Sequence, residues 1–198
     1  MQLINIFWQN AEITTLAPIW GPNLKILFVG LNPSPPSIET GHYHQGKLGK
    51  KFWERLRSIG LMENAEVGAE DKSLLDNKLG ITDLVPRSTE CAEDIKEEEI
   101  SLGAQFIIHQ IQQSKPRVVC FIYKKALEGV IGGKIPGDGG LIESEDEGWK
   151  RLFGESQVFL LPSPHASAET ETTILQNFKE LIFAVIIYID VICVIDHL

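Results

Sequence analysis

The sequence predicts an α/β fold with a largely parallel sheet, on three observations. Short apolar, β-branched runs recur along the chain, longer segments of helical period separate them, and several of the runs stop abruptly at proline. Residues 25–30 (KILFVG) read as a buried strand, after which Pro33, Pro35 and Pro36 remove backbone donors and end regular structure at once. Residues 52–61 read as a helix with Phe52, Leu56 and Ile59 on one side. Residues 80–85 (GITDLV) are a short strand or extended piece ended by Pro86. The clearest helix spans 94–114, where Ile95, Leu102, Phe106 and Ile111 keep close to one face and Lys115-Pro116 closes it. Residues 117–123 (RVVCFIY) are the next strand, 124–131 a helix, and the glycines of GGKIPGDGG the loop after it. The acidic run 143–147 (ESEDE) reads as a solvated loop, 158–161 (VFLL) as a strand stopped by Pro162, and 171–187 as the last helix.

At 198 residues the chain is long enough for one domain with a sizeable core and short for two, so residues 1–198 are taken as a single domain. Its 43% hydrophobic and 23% charged content is that of an ordinary soluble protein. A net charge of -9 argues against a surface that grips nucleic acid all over, while leaving room for a local basic edge. Cys91, Cys120 and Cys193 are too few and too scattered for a disulfide framework or a four-cysteine metal site, which fits a reducing, cytoplasmic setting. Residues 1–10 lack the basic start and apolar core of a signal peptide. The apolar stretch 181–195 (LIFAVIIYIDVICVI) is shorter than the ~20 residues a spanning helix needs and carries Asp190, so a buried terminal element is expected rather than a membrane span. Neither G-x-x-x-x-G-K-[ST] nor G-x-G-x-x-G is present, which disfavours a nucleotide-dependent enzyme.

The polar signals fall in one place on this plan. Asn32 follows the first strand, Lys124 and Lys125 follow RVVCFIY, and Ser163 to His165 follow VFLL. In a parallel sheet all of these lie beyond carboxyl ends of strands, at the edge where open α/β folds put ligand sites. Two constellations stand out there: GLNPS (residues 30–34) and LPSPHAS (residues 161–167), with GHYHQGKLGKKFW between the first loop and its helix.

In this order, LAPIWGPNLKILFVGLNP, TGHYHQGKLGKKFW, GITDLVPRST and LPSP resemble the mismatch-specific uracil and thymine DNA glycosylases of the uracil-DNA glycosylase superfamily, over roughly residues 16–183. The resemblance implies a three-layer αβα fold with a short, mainly parallel sheet, and removal of a damaged pyrimidine from DNA by hydrolysis of its N-glycosidic bond. Asn32 stands at the family's water-holding asparagine; a carboxamide is a poor base, but its oxygen can orient water. The alternative is a residue of an Asn-Pro turn that bonds its own backbone. Asp83 stands at a pocket-facing position of variable type, where a carboxylate could accept a proton or simply be exposed. Gly30, Leu31, Pro33 and Tyr43 would line the base pocket, and His44 falls where relatives stack a Phe or Tyr on the extruded base.

Lys47, Lys50 and Lys51 form a basic patch suited to phosphates, or a plain solvated helix start. In the second constellation, Leu161 replaces the histidine of the most active uracil-removing relatives, implying a slower enzyme. Ser163 and Pro164 would meet the DNA backbone, His165 falls at a leucine wedge, and Ser167 at a common arginine. His42 and His44 without a third ligand are a weak metal signal, so no metal or cofactor is expected. The expected enzyme is monofunctional, a monomer and a partner of damaged duplex DNA; the rival reading is a glycosylase-like module that binds damaged or single-stranded DNA without cutting. The apolar tail 184–198 extends past the likeness and suggests a dimer contact as a further alternative.

Overall fold

Five residues without one polar side chain, Ile26–Gly30, are wholly buried inside the sheet, because such a run can be satisfied only with both faces covered. The structure is a computed structural model and describes residues 3–195, with side-chain surroundings to residue 185. In chain order the elements are strands β1 (Leu3–Trp8), β2 (Ala11–Leu16) and β3 (Ile26–Gly30), helices α1 (Pro35–Thr40) and α2 (Lys47–Ser58), strand β4 (Leu79–Asp83), helix α3 (Glu97–Ser114), strand β5 (Val118–Phe121), helix α4 (Lys124–Ile131), strand β6 (Gly140–Ile142), helix α5 (Glu147–Phe153), strand β7 (Gln157–Leu160) and helix α6 (Ala168–Ile195). The central sheet has the order β4-β3-β5-β7-β6. Its first four strands are parallel and β6 is an antiparallel edge. The fold is therefore α/β with helices on both faces of a mostly parallel sheet.

Alternation along each strand divides the core into two. Ile26, Phe28, Ile81, Cys120 and Phe159 face one side and meet Phe52, Trp53 and Leu56 of α2 and Phe178 of α6. Leu27, Val29, Val119, Phe121, Val158 and Leu160 face the other and meet Ile107 and Ile111 of α3, Leu127 of α4 and Phe153 of α5. Each of these large side chains contributes roughly 1.5–3 kcal/mol on burial.

Several boundaries depart from the sequence reading, each for a physical reason. The buried stripe of α3 is Ile100, Ala104, Ile107 and Ile111, while Leu102 and Phe106 are 41% and 47% exposed. Ile95 lies before the helix, beside a 3₁₀ turn at Ala92–Asp94, so counting the period from it misplaces the face. Gly103 lies against Leu84, whose carbonyl oxygen would be 1.9 Å from a Cβ there. Helix α2 starts at Lys47, five residues before the expected Phe52. Glu147 of the acidic run opens α5, capped by the Asp146 carboxylate. The hairpin β1–β2 and the edge strand β6 were not expected. Helix α6 runs on to Ile195; the surroundings of the apolar tail from residue 186 lie outside the described residues. Among the described residues no helix is long and apolar enough to cross a membrane.

Candidate active site

Strands β3 and β4 end side by side, with Gly30 opposite Asp83. Pairing continues past the ends, since Leu84 N–H donates to the Gly30 carbonyl (3.0 Å) and Val85 N–H to that of Leu31 (2.8 Å). This keeps residue 32 next to residues 87–89. The Asn32 amide nitrogen donates to the Arg87 carbonyl (3.2 Å) and to Thr89 Oγ1 (2.8 Å), with a longer bond to the Pro33 carbonyl (3.3 Å). A carbonyl can only accept, so the amide's orientation is fixed: NH₂ toward Arg87 and Oδ1 away. Among the described residues no protein donor engages Oδ1. Asn32 thus bonds to a distant segment, 55 and 57 residues on, as well as to its immediate neighbour.

Arg87 is itself anchored. Its guanidinium grips Glu99 with Nε–Oε1 at 2.7 Å and a second nitrogen at 2.6 Å from Oε2, and also donates to the Asp94 carbonyl (2.9 Å). Trp8 Nε1 and the Lys96 N–H complete the donors on Glu99. These hydrogen bonds, Arg87's first, hold the Glu99 carboxyl down at about 2 despite its burial.

Asp83 Oδ1 is buried and, among the described residues, has no hydrogen-bond partner. Burial pushes its carboxyl up to about 7. Beside it lies a mainly apolar cavity of about 280 Å³, walled by the hairpin, Leu84, Phe106, Tyr43 and Asp83 itself, which is a low-dielectric setting for a carboxylate. The carboxyl folds over Gly30: a Cβ at that position would stand 2.0 Å from Asp83 Oδ1 and 3.6 Å from His44 Cε1. Glycine leaves room for the carboxyl, while the His44 ring would stand at ordinary contact distance.

His44 is buried, its basicity lowered to about 4 by desolvation, and among the described residues its Nε2 also lacks a partner. The ring packs 4.8 Å from Phe52 and 6.4 Å from Tyr123 between centroids. Its backbone takes a left-handed φ of 54°, and Gly49 lets α2 press against it: a Cβ there would be 2.6 Å from the His44 carbonyl carbon. Neighbouring Tyr43 is wholly buried, its hydroxyl donating to the Ala17 carbonyl and its N–H to Asp71. His42 Nδ1 lies 2.8 Å from the other Asp71 oxygen, so that carboxylate clamps the 42–43 turn. Among the described residues no group of His, Cys, Asp or Glu could hold a metal ion. Leu31 and Pro33 are buried at the root of the loop.

The 162–167 loop lies at the same sheet edge, because Ile122 N–H pairs with Val29 and Leu161 N–H with Phe121 in an unbroken series. Arg55, buried on α2, donates to the carbonyls of Pro162 (2.9 Å) and Ser163 (3.1 Å) and to Glu171 (2.9 Å). Lys51 joins the same knot, 2.6 Å from Glu171 and 3.1 Å from the Pro164 carbonyl. Lys47 and Lys50 are exposed. Ser163 and His165 are exposed and joined by the His165 N–H to Ser163 Oγ bond (3.2 Å), while Ser167 Oγ accepts the Thr170 N–H (3.1 Å) at the start of α6. Arg55, Glu171, Arg87, Thr89, Glu99 and Asp71 were missed from sequence. Only Arg55 carried a signal, as a cation next to Leu56 on an otherwise apolar helix face.

The sequence matches the family model of the uracil DNA glycosylase superfamily over residues 18–185. The chain belongs to that superfamily. Membership supports a DNA glycosylase, a DNA-repair hydrolase that acts on DNA, and agrees with the α/β sheet described above.

Proposed function

We propose that this protein removes a deaminated or mismatched base from duplex DNA, uracil opposite guanine first, hydrolysing the N-glycosidic bond and leaving an abasic site. The observation that carries the reading is the fixed Asn32 amide, whose free Oδ1 faces away from Arg87 and Thr89. An extruded nucleotide brings its C1′ to the edge beyond β3 and β4. Asn32 Oδ1 accepts a hydrogen bond from water and holds one lone pair toward C1′, a positioning role that is effective only if the amide cannot rotate. As the new C1′–O bond forms and the C1′–N bond breaks, the water proton passes to the Asp83 carboxylate and the base departs with the bond's electron pair. A carboxyl near 7 is a stronger base than an exposed one and is still ionised in part at neutral pH.

The remaining roles follow by position. His44, backed by Phe52, faces the base with an uncharged ring, and Gly30, Leu31, Pro33 and Tyr43 shape the wall. Ser163, Pro164 and His165 meet the strand, His165 entering the gap left by the base, with Ser167 supporting the loop. Lys47 and Lys50 draw phosphates, and Lys51 acts through the loop it holds. No step requires a cofactor, a lysine nucleophile or a second subunit.

The test is a panel of duplexes carrying G·U, G·T, hypoxanthine or ethenocytosine, treated with alkali after incubation. Breaks with the parent, greatly reduced with Asn32→Ala and Asp83→Ala, support the reading. Retention of DNA without breaks on any lesion would make the chain a binding module instead, and borohydride trapping of a covalent adduct would exclude the monofunctional route.

A further inference from the structure

The opposite rim of the sheet carries charge of the other sign from the chain as a whole. A cavity of about 660 Å³ opens at the amino ends of the parallel strands, lined by Lys25, Lys78, Lys115, Arg117, Lys150 and Arg151 against one carboxylate, Glu155. That is six of the 18 lysines and arginines in a protein of net charge -9. Among the described residues none of the six belongs to an ion pair. Arg151 Nε reaches only the Glu147 carbonyl, at 3.5 Å.

The sheet itself forces these cations together. Lys25 N–H donates to the Lys78 carbonyl (2.7 Å), Val118 N–H to that of Lys25 (3.0 Å), and Gln157 N–H to that of Arg117 (2.9 Å). Lys78, Lys25 and Arg117 therefore sit side by side on adjacent segments just before β4, β3 and β5. Like charges on neighbouring strands repel, and a chain with 27 carboxylates has placed one here. A concave wall of one sign concentrates field in the cavity and draws counter-ions. Leu24, Ile111 and Pro116 give it an apolar floor.

We propose that this cavity binds a small anion bearing several linked phosphates. Its volume is in the ~300–1,000 Å³ range of small-molecule sites. It is a concave hollow, a shape that suits a compact ligand better than the convex side of a duplex. The linked phosphates could belong to a phosphate chain or to a nucleoside polyphosphate whose base uses the floor.

The test is calorimetric titration of the full chain with sodium tripolyphosphate at low salt without divalent cation, and separately with ATP. One saturable site is expected, weakened at least tenfold by Lys115→Glu with Arg117→Glu and by Lys78→Gln with Lys150→Gln, and changed less than twofold by Lys47→Glu with Lys50→Glu. Tighter binding of ATP identifies a nucleotide; equal binding identifies the phosphate chain. The proposal is overturned by the absence of saturable binding, by equal loss in the Lys47 and Lys50 variant, or by undamaged duplex DNA displacing tripolyphosphate from the parent. Base release by the two cavity variants, Lys115→Glu with Arg117→Glu and Lys78→Gln with Lys150→Gln, is expected at the parent's rate, and since titration needs no turnover, an inactive parent would refute the glycosylase reading alone.

Discussion

Thr89 Oγ1 lies 2.8 Å from the Asn32 amide nitrogen and gives its own proton to the Cys91 carbonyl at 2.8 Å, so toward Asn32 it accepts. The hydroxyl and the Arg87 carbonyl together lock the amide's rotation.

Removing that lock separates positioning from binding. Thr89→Val keeps the shape and loses the acceptor, and it is expected to lower kcat for base release about 10- to 100-fold with KM little changed; Thr89→Ser restores the rate. Asn32→Ala is expected to fall at least as far. Single-turnover kinetics on a G·U duplex measures both, and a Thr89→Val enzyme with parental kcat would show that the amide needs no lock.

The base role proposed for Asp83 predicts a pH dependence. With its carboxyl at about 7, base release limited by the ionised form is expected to rise about tenfold per pH unit below that value and level off above it. Asp83→Asn flattens the profile. Stability runs the other way. The folded carboxyl holds its proton more tightly than an unfolded one near ~3.9, so native stability declines as pH rises from ~4 to about 7, by an amount on the order of a few kcal/mol. Asp83→Asn escapes that loss and is expected to melt higher than the parent at pH 8.

Gly30 and Asp83 are coupled by space. Gly30→Ala is expected to cost about 1–3 kcal/mol, because its methyl would collide with Asp83 Oδ1. In an Asp83→Ala background the same change should cost less than half as much. Urea unfolding of the four proteins gives the coupling, and equal costs in both backgrounds would place the collision elsewhere.

Glu99 acts on the site through Arg87. The Arg87 side chain is 34% exposed and that of Glu99 only 1%, so Glu99→Gln is expected to cost about 2 kcal/mol, less than for a pair sealed from water. Because Arg87 lowers the Glu99 carboxyl to about 2, the pair's contribution is complete above ~4.5 and lost as pH falls toward 2. The variant lacks that acid slope in thermal melts, and its kcat falls with KM spared, since the Arg87 carbonyl holds Asn32.

The central sheet was legible because doubly covered strands must be continuously apolar, as ILFVG and VVCF are. The hairpin was not: Leu3–Trp8 is half exposed and gives neither a buried run nor a clean alternation. Asn32 stood out as a polar residue just after a strand, and Asp83 only through the family resemblance, as a carboxylate inside GITDLV. That Asp83 folds over Gly30 while Asn32 turns to Arg87 and Thr89 depends on strand register, which no local pattern encodes. The network behind them was hidden for the same reason, since Arg87, Thr89 and Glu99 acquire meaning only when residue 32 is laid against residue 87.

The loop from Pro162 to Ser167 is fastened at one end by the guanidinium of Arg55 and at the other by the cap on α6. Such a segment has given up most of its conformational freedom before any strand arrives. On the proposed reading, docking then demands little additional ordering, and a duplex passing over this rim would meet a stiff template against which a helix distorted by a lesion differs from an intact one.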